Sequence, residues 1–137
     1  MDLFESRERL DGYRAALRDT SRRVALGDFT RASGAEAMRQ LLEEDPELDA
    51  VFAANDLMAI GALRTLRQVG LRVPEDVAVV GFDDIEAAAY TVPALTSVRS
   101  PMADQATATV RLLLGLIEGG SRERVVMPND LVVRESS

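Results

Sequence analysis

Two short apolar runs, each closing on a polar pair and separated by a helical repeat, fix the fold of residues 49–85. Ala50-Val51-Phe52-Ala53-Ala54 ends at Asn55-Asp56, and Ala59, Leu63, Leu66 and Val69 then recur at helical spacing until Gly70 breaks the pattern. After Pro74 the run Val77-Ala78-Val79-Val80-Gly81-Phe82 is continuously apolar, as in a strand covered on both faces, and it ends on Asp83-Asp84. Strand, helix, strand in this order predicts a βαβ unit with parallel strands and a right-handed crossover. Both polar pairs then lie at carboxyl ends of strands, where open α/β sheets bind their ligands.

The remaining segments extend the same alternation. Leu10, Tyr13 and Leu17 share one face of a predicted helix over residues 5–18, with Gly12 marking close packing against a neighbour. Val24-Ala25-Leu26-Gly27 reads as a strand, and Ser33 with Glu36 fits a capping box for a helix that buries Ala35, Met38, Leu41 and Leu42. Residues 85–90 form a short alanine-rich helical turn, and Pro93 forces an extended entry to residues 95–99. Ser100-Pro101 opens another helix, whose stripe of Ala106, Val110, Leu113, Leu114 and Ile117 runs to the stop at Gly119-Gly120. Val125-Val126-Met127 and Leu131-Val132-Val133 read as two short strands around a Pro128-Asn129 turn. The expected class is α/β, a parallel sheet flanked by helices.

Composition removes several functions. The chain of 137 residues carries 16 basic and 23 acidic side chains, a net charge of −7. It has no lysine and no basic run, so this segment offers phosphate backbones no electrostatic footprint and is not expected to bind DNA by itself. Without His or Cys, thiolate metal sites and the usual general base are gone. Neither a nucleophile elbow, a Walker loop nor a dinucleotide fingerprint occurs, so no catalytic residue, metal or cofactor is expected. The start MDLFESRERL is too charged for a secretory signal and no apolar run reaches membrane-spanning length, which points to the cytoplasm.

The strings VFAANDLMAIGALRTLRQVGLRVPEDVAVVGFDDI and PALTSVRSP closely resemble the effector-binding domain of the lactose-repressor (LacI/GalR) family of transcription regulators. The resemblance continues in RERLDGYRAAL and VVMPNDLVVRES, so it covers nearly the whole chain. It implies the second half of a periplasmic-binding-protein-like domain of type I, in which two α/β lobes hold a sugar or other small polar effector and a dimer binds DNA. Residues 1–100 correspond to the C-terminal lobe. Residues 101–128 correspond to a crossover helix and strand that pack on the first lobe, and residues 129–137 to the return strand and tail. The first lobe and the DNA-reading helix-turn-helix are not represented, which implies a fragment or a truncated product. A helix stripe burying about 1–2 kcal/mol per large residue is then expected to fold back on its own lobe or to be exchanged within a homodimer.

Four residues are candidates for ligand contact. Asp83 ends a strand, and its carboxylate suits vicinal hydroxyls; the resemblance assigns the first Asp of its GFDD-like motif to the effector. Asn55 carries a donor and an acceptor on one amide and is also a good helix N-cap, so both roles stay open. Phe29 matches an aromatic that packs on the effector ring, against a plain core role. Arg9 matches an arginine that clamps a polar effector group, although MDLFES stands where the family has a serine-bearing strand. Asp84 has a structural role at least as readily as a binding one, and Asp56 serves the positive end of the helix it opens. Met102 reads as core. Residues 56–69 and 85–90 resemble the family's dimer surface. The alternatives are a lobe of a transport-type sugar-binding protein and a metal-dependent enzyme using Asp83 and Asp84.

Overall fold

A computed structural model describes residues 4–16 and 23–137 of the chain. Helix α1 (Phe4–Ala16) and helix α2 (Arg31–Glu44) precede strand β1 (Ala50–Phe52), helix α3 (Asp56–Val69) and strand β2 (Ala78–Phe82). A turn of 3-10 helix at Glu86–Tyr90 leads to strand β3 (Thr96–Arg99), helix α4 (Met102–Ile117) and strand β4 (Asp130–Val132). The strands lie in sequence order, β1 parallel to β2, β2 parallel to β3, and β4 antiparallel to β3. The βαβ unit is therefore present where the apolar runs placed it. Leu17 and Arg18 of the first predicted helix lie outside the described residues.

The core forms on one side of the sheet. Met58, Ala59, Ala62, Leu63 and Leu66 of α3 pack with Met38 of α2, with Val77 and Val79, and with Leu95. A Cβ on Gly34 would strike the backbone of Met58, so glycine lets α2 and α3 meet at backbone distance. Asn55 caps α3 by accepting a hydrogen bond from the Met58 N–H, and Gly70 ends it in the left-handed region. Val69, the last apolar residue of the helical repeat, is exposed on the final turn of α3.

Several local expectations are corrected. Coverage of β2 is one-sided: Val79 and Gly81 are buried, whereas Ala78, Val80 and Phe82 are only half-buried on the face towards α1. Helix α1 is too polar to seal that face and touches it mainly through Tyr13, stacked on Phe52 at 6.5 Å, and Arg9. Residues 24–27 form no strand: they and β1 line opposite sides of a cavity, and among the described residues they join no ladder. Thr30, not Ser33, caps α2, because Asp28 folds residues 28–30 into a turn by accepting from the backbone N–H and hydroxyl of Thr30, and the helix starts earlier. Gly12 faces open space, so it marks no close packing.

Two further corrections concern the segment between β3 and β4. Residues 125–127 form no strand, and Val126 is exposed. Arg99 pairs with Asp130 in the β3–β4 register, so residues 100–129 make one excursion from the carboxyl end of β3. Helix α4 consequently covers no face of the sheet. None of its residues is buried, Val110, Leu113, Leu114 and Ile117 are each more than half exposed, and so is Met102, which was read as core. The helix does not fold back on its own lobe.

The tail closes the sheet from below. Ser136 is fully buried where β2 and β3 splay, its hydroxyl donating to the Val79 carbonyl at 2.6 Å and accepting from the Thr96 N–H at 2.8 Å. Its backbone carbonyl accepts from the Val79 N–H as well. Replacing this hydroxyl leaves two buried backbone groups without partners, and each such group costs about 1–3 kcal/mol. Ser136→Ala is therefore expected to lower unfolding stability by about 2 kcal/mol in urea denaturation; an unchanged midpoint would show that the tail is not part of the folded unit.

Candidate functional site

Arg9, on α1, reaches over the carboxyl ends of β1 and β2. Its guanidinium carbon stands 3.9 Å from the centre of the Phe82 ring, and one nitrogen donates to the Ala54 carbonyl at 2.7 Å. The other nitrogen lies 3.9 Å from Oδ1 of Asp83. An arginine stacked and hydrogen-bonded in this way has lost most of its rotamer freedom before any ligand arrives. Its donors and the half-exposed Asp83 carboxylate stand side by side, the pairing that a polyol with alternating donors and acceptors matches.

Phe29 lies across from this pair, half-buried with φ 67° in the left-handed region. It lines, with Arg9, Tyr13, Phe52 and Ala54, a cavity of about 610 Å³ between α1, residues 24–29 and β1. Asn55 sits behind Phe29, and its amide is largely committed. Oδ1 accepts from the Met58 N–H at 2.9 Å, and Nδ2 donates to the Phe29 carbonyl at 3.1 Å. The structure thus gives Asn55 a cap and a positioning role for the Phe29 turn, with one Nδ2 hydrogen beyond these two bonds. Asn55 and Asp83 do not line the cavity that Phe29 and Arg9 share.

Beneath the rim lies a second layer of carboxylates that sequence reasoning resolved only in part. Asp56, fully buried, accepts from the Ser97 hydroxyl at 2.6 Å and from the Ile85 N–H at 2.8 Å. A Cβ on Gly81 would run into this carboxylate, which explains the glycine inside β2. Burial raises the Asp56 carboxyl above its ordinary value, with the charge of Asp84 adding to the rise and the bonds from Ser97 and Ile85 opposing it. Asp84 is nearly buried and accepts from Arg99 Nε and Arg134 Nη2, both at 2.6 Å. Burial pushes its carboxyl up, but the two guanidinium partners outweigh burial and hold it below the usual range. Asp84 is thus a structural anchor, spent on two arginines.

Phe82, Arg99 and Arg134 escaped the sequence reading. Each was visible only as a strand residue or an isolated charge. Among the described residues, no group of three or more His, Cys, Asp or Glu side chains is placed to hold a metal ion, and no helix is long and apolar enough to cross a membrane.

Comparison with known proteins identifies the family. A family model described as a periplasmic binding protein-like domain matches residues 2–137. The HTH-type transcriptional regulator CelR of Thermobifida fusca is 48% identical over 98% of this chain and 42% of its own length. The HTH-type transcriptional regulator AscG of Escherichia coli is 44% identical over 88% of this chain and 37% of its own length. Among solved structures, a CelR–cellobiose complex superposes with a TM-score of 0.86 at 48% identity, covering 95% of this chain and 42% of the other. A dimeric Lac repressor superposes with a TM-score of 0.86 at 34% identity, over 97% of this chain and 50% of the other. The chain therefore spans about two fifths of the length of these two curated relatives.

The two carboxylates make opposite contributions to stability as pH falls. Asp84, held below its ordinary value, stabilises the fold above the free carboxylate range and loses that contribution as pH drops through its lowered value; Asp56, raised, stabilises the fold as it takes up its proton. Asp84→Asn is expected to cost about 1.5–3 kcal/mol at neutral pH, the range for hydrogen bonds to charged groups, and to flatten the acid limb of a urea-midpoint profile. A profile parallel to the wild type would show that the Asp84 pairs contribute nothing to acid sensitivity.

Proposed function

The chain belongs to the periplasmic-binding-protein-like family in the form found in LacI-type transcription regulators, and from that premise we propose that it is the C-terminal, effector-sensing part of such a regulator. The observation that carries the reading is the Arg9–Asp83 pair at the carboxyl ends of β1 and β2, with Phe82 beneath it. Asp83 accepts from effector hydroxyls, Arg9 donates to them, and Phe29 supplies an apolar face for a ring. Asn55 contributes chiefly by fixing Phe29, with one amide hydrogen left for the ligand. The role is binding rather than catalysis, and it belongs to the cytoplasm, where a regulator meets its operator. The effector is sugar-like, in keeping with the cellobiose bound by the CelR relative.

Residues 1–100 form the C-terminal lobe in this reading. Residues 101–128 reach across to a first lobe, and residues 129–137 return to the sheet, so the exposed α4 stripe is the surface that the first lobe covers. Effector held between lobes favours one lobe arrangement, and a dimer passes that bias to a DNA-binding module. Residues 56–69 and 85–90 lie on the dimer surface. The metal-dependent alternative loses support, since Asp84 is committed to two guanidinium groups.

Two measurements test the reading. Calorimetric titration of cellobiose and related sugars into the two-lobed protein is expected to show an affinity that Asp83→Ala lowers about 10- to 100-fold, the equivalent of one charged hydrogen bond; unchanged affinity would remove Asp83 from the site. The 137-residue chain alone is expected to self-associate through α4 in concentration-dependent sedimentation. A monomer at high concentration would show that this stripe tolerates water and would oppose the assignment of residues 101–128.

A further inference from the structure

We propose that Asp84 is a positioning residue that couples the Asp83 end of β2 to both segments flanking α4. Asp83 (φ 105°) and Asp84 (φ 53°) are consecutive non-glycine residues in the left-handed region. Such a backbone persists only where its surroundings over-determine it, and two in succession at a binding rim mark a turn held for a purpose. Four bonds hold this one. The Asp83 N–H donates to the Val98 carbonyl at 2.9 Å and the Asp84 N–H to the Ser97 hydroxyl at 3.1 Å. The two Asp84 oxygens accept separately from Arg99 and Arg134.

The positions of these arginines give the turn its reach. Arg99 is the last residue of β3, immediately before the chain departs towards α4. Arg134 follows β4, after the chain has returned, and is itself tied to the Leu95 carbonyl through Nη1 and to the Thr96 hydroxyl through its N–H. One carboxylate therefore bridges the outgoing and the returning segments at the carboxyl end of the sheet, in addition to the short β3–β4 ladder and the bonds that join residues 94–96 to residues 134–137. The neighbouring carboxylates divide the work: the Asp84 side chain is 6% exposed against its arginines, while that of Asp83 is 36% exposed beside Arg9. A shift of the 83–84 turn must move the Asp84 carboxylate, and both flanks of α4 are attached to it. By reciprocity a change in how α4 packs biases the turn that presents Asp83.

The functional half of this inference rests on the reading of Asp83 as a ligand contact; the coupling itself does not. Hydrogen exchange read by mass spectrometry on the 137-residue chain, without ligand, tests the coupling. Asp84→Asn is expected to speed exchange in residues 97–100 and 130–135 together, about 10-fold or more beyond whatever acceleration the α2 and α3 peptides show from the lowered global stability. Arg134→Gln is expected to loosen residues 97–100, which its side chain does not touch, and to lose that remote effect in an Asp84→Asn background. Loosening of one flank only, an additive double variant, or uniform acceleration through the core would overturn the proposal. If Asp84→Asn does not fold, Arg99→Gln carries the test: it must loosen residues 130–135, and failure to do so overturns the coupling. Since no ligand is used, a failed sugar titration with Asp83→Ala would leave these results standing, and the two failures are distinguishable.

Discussion

The carboxyl group of Asp56 is the interaction around which the carboxyl end of the sheet is arranged. It opens α3, where the helix's unpaired N–H groups favour a negative charge, and it accepts from Ser97 on β3 and from the backbone after β2. One buried carboxyl group thus fixes a helix, a strand and a loop relative to one another. Burying it is costly unless every lone pair is used, and the glycine at position 81 exists to admit it. The ionic cluster of Asp84, Arg99 and Arg134 stands beside it with the opposite electrostatic character: net positive, partly wetted through Arg99, and able to keep its carboxylate charged.

This layering explains why the two aspartates at the end of β2 have different fates although they are neighbours. Positive φ at both turns successive side chains away from the alternation a strand would impose. Asp84 is carried inward to the arginines, and Asp83 is left at the rim within reach of Arg9. Arg9 in turn is held by an aromatic face and a carbonyl, so the rim consists of side chains restrained before binding. Restraint of that kind reduces the ordering cost that a small polar ligand must otherwise overcome.

What the sequence disclosed follows from which signals are local. The β1–α3–β2 unit was legible because apolar runs, the Asn55 cap and the Gly70 stop are all properties of adjacent residues. The resemblance in the GFDD-like stretch singled out Asp83 as a candidate for the same reason. Arg99 and Arg134 were not legible as partners of Asp84, since they lie 15 and 50 residues away and nothing in their own neighbourhoods marks them. Ser136 is a similar case: a serine in a polar tail reads as solvated until the splay between β2 and β3 places it in the core. Residues 24–27 failed in the other direction. Their local pattern suits a strand, but a strand also requires a partner edge at ladder distance, and the cavity beside β1 intervenes.

Helix α4 shows the limit of an apolar stripe most plainly. The stripe was read correctly as a helix face, and its ends at Pro101 and Gly119 match the structure closely. Periodicity states that a face needs cover; it does not state whose surface provides it. The structure supplies the missing geometric fact: the segment leaves and re-enters at the carboxyl end of the sheet, and α4 buries none of its residues against either face. The face beneath α3 is already filled, and the other face meets α1 chiefly through Tyr13 on Phe52 and Arg9 on Phe82. The Asp84 node stands at the base of that excursion, tied to the residues that leave and re-enter the sheet and next to the turn that carries Asp83.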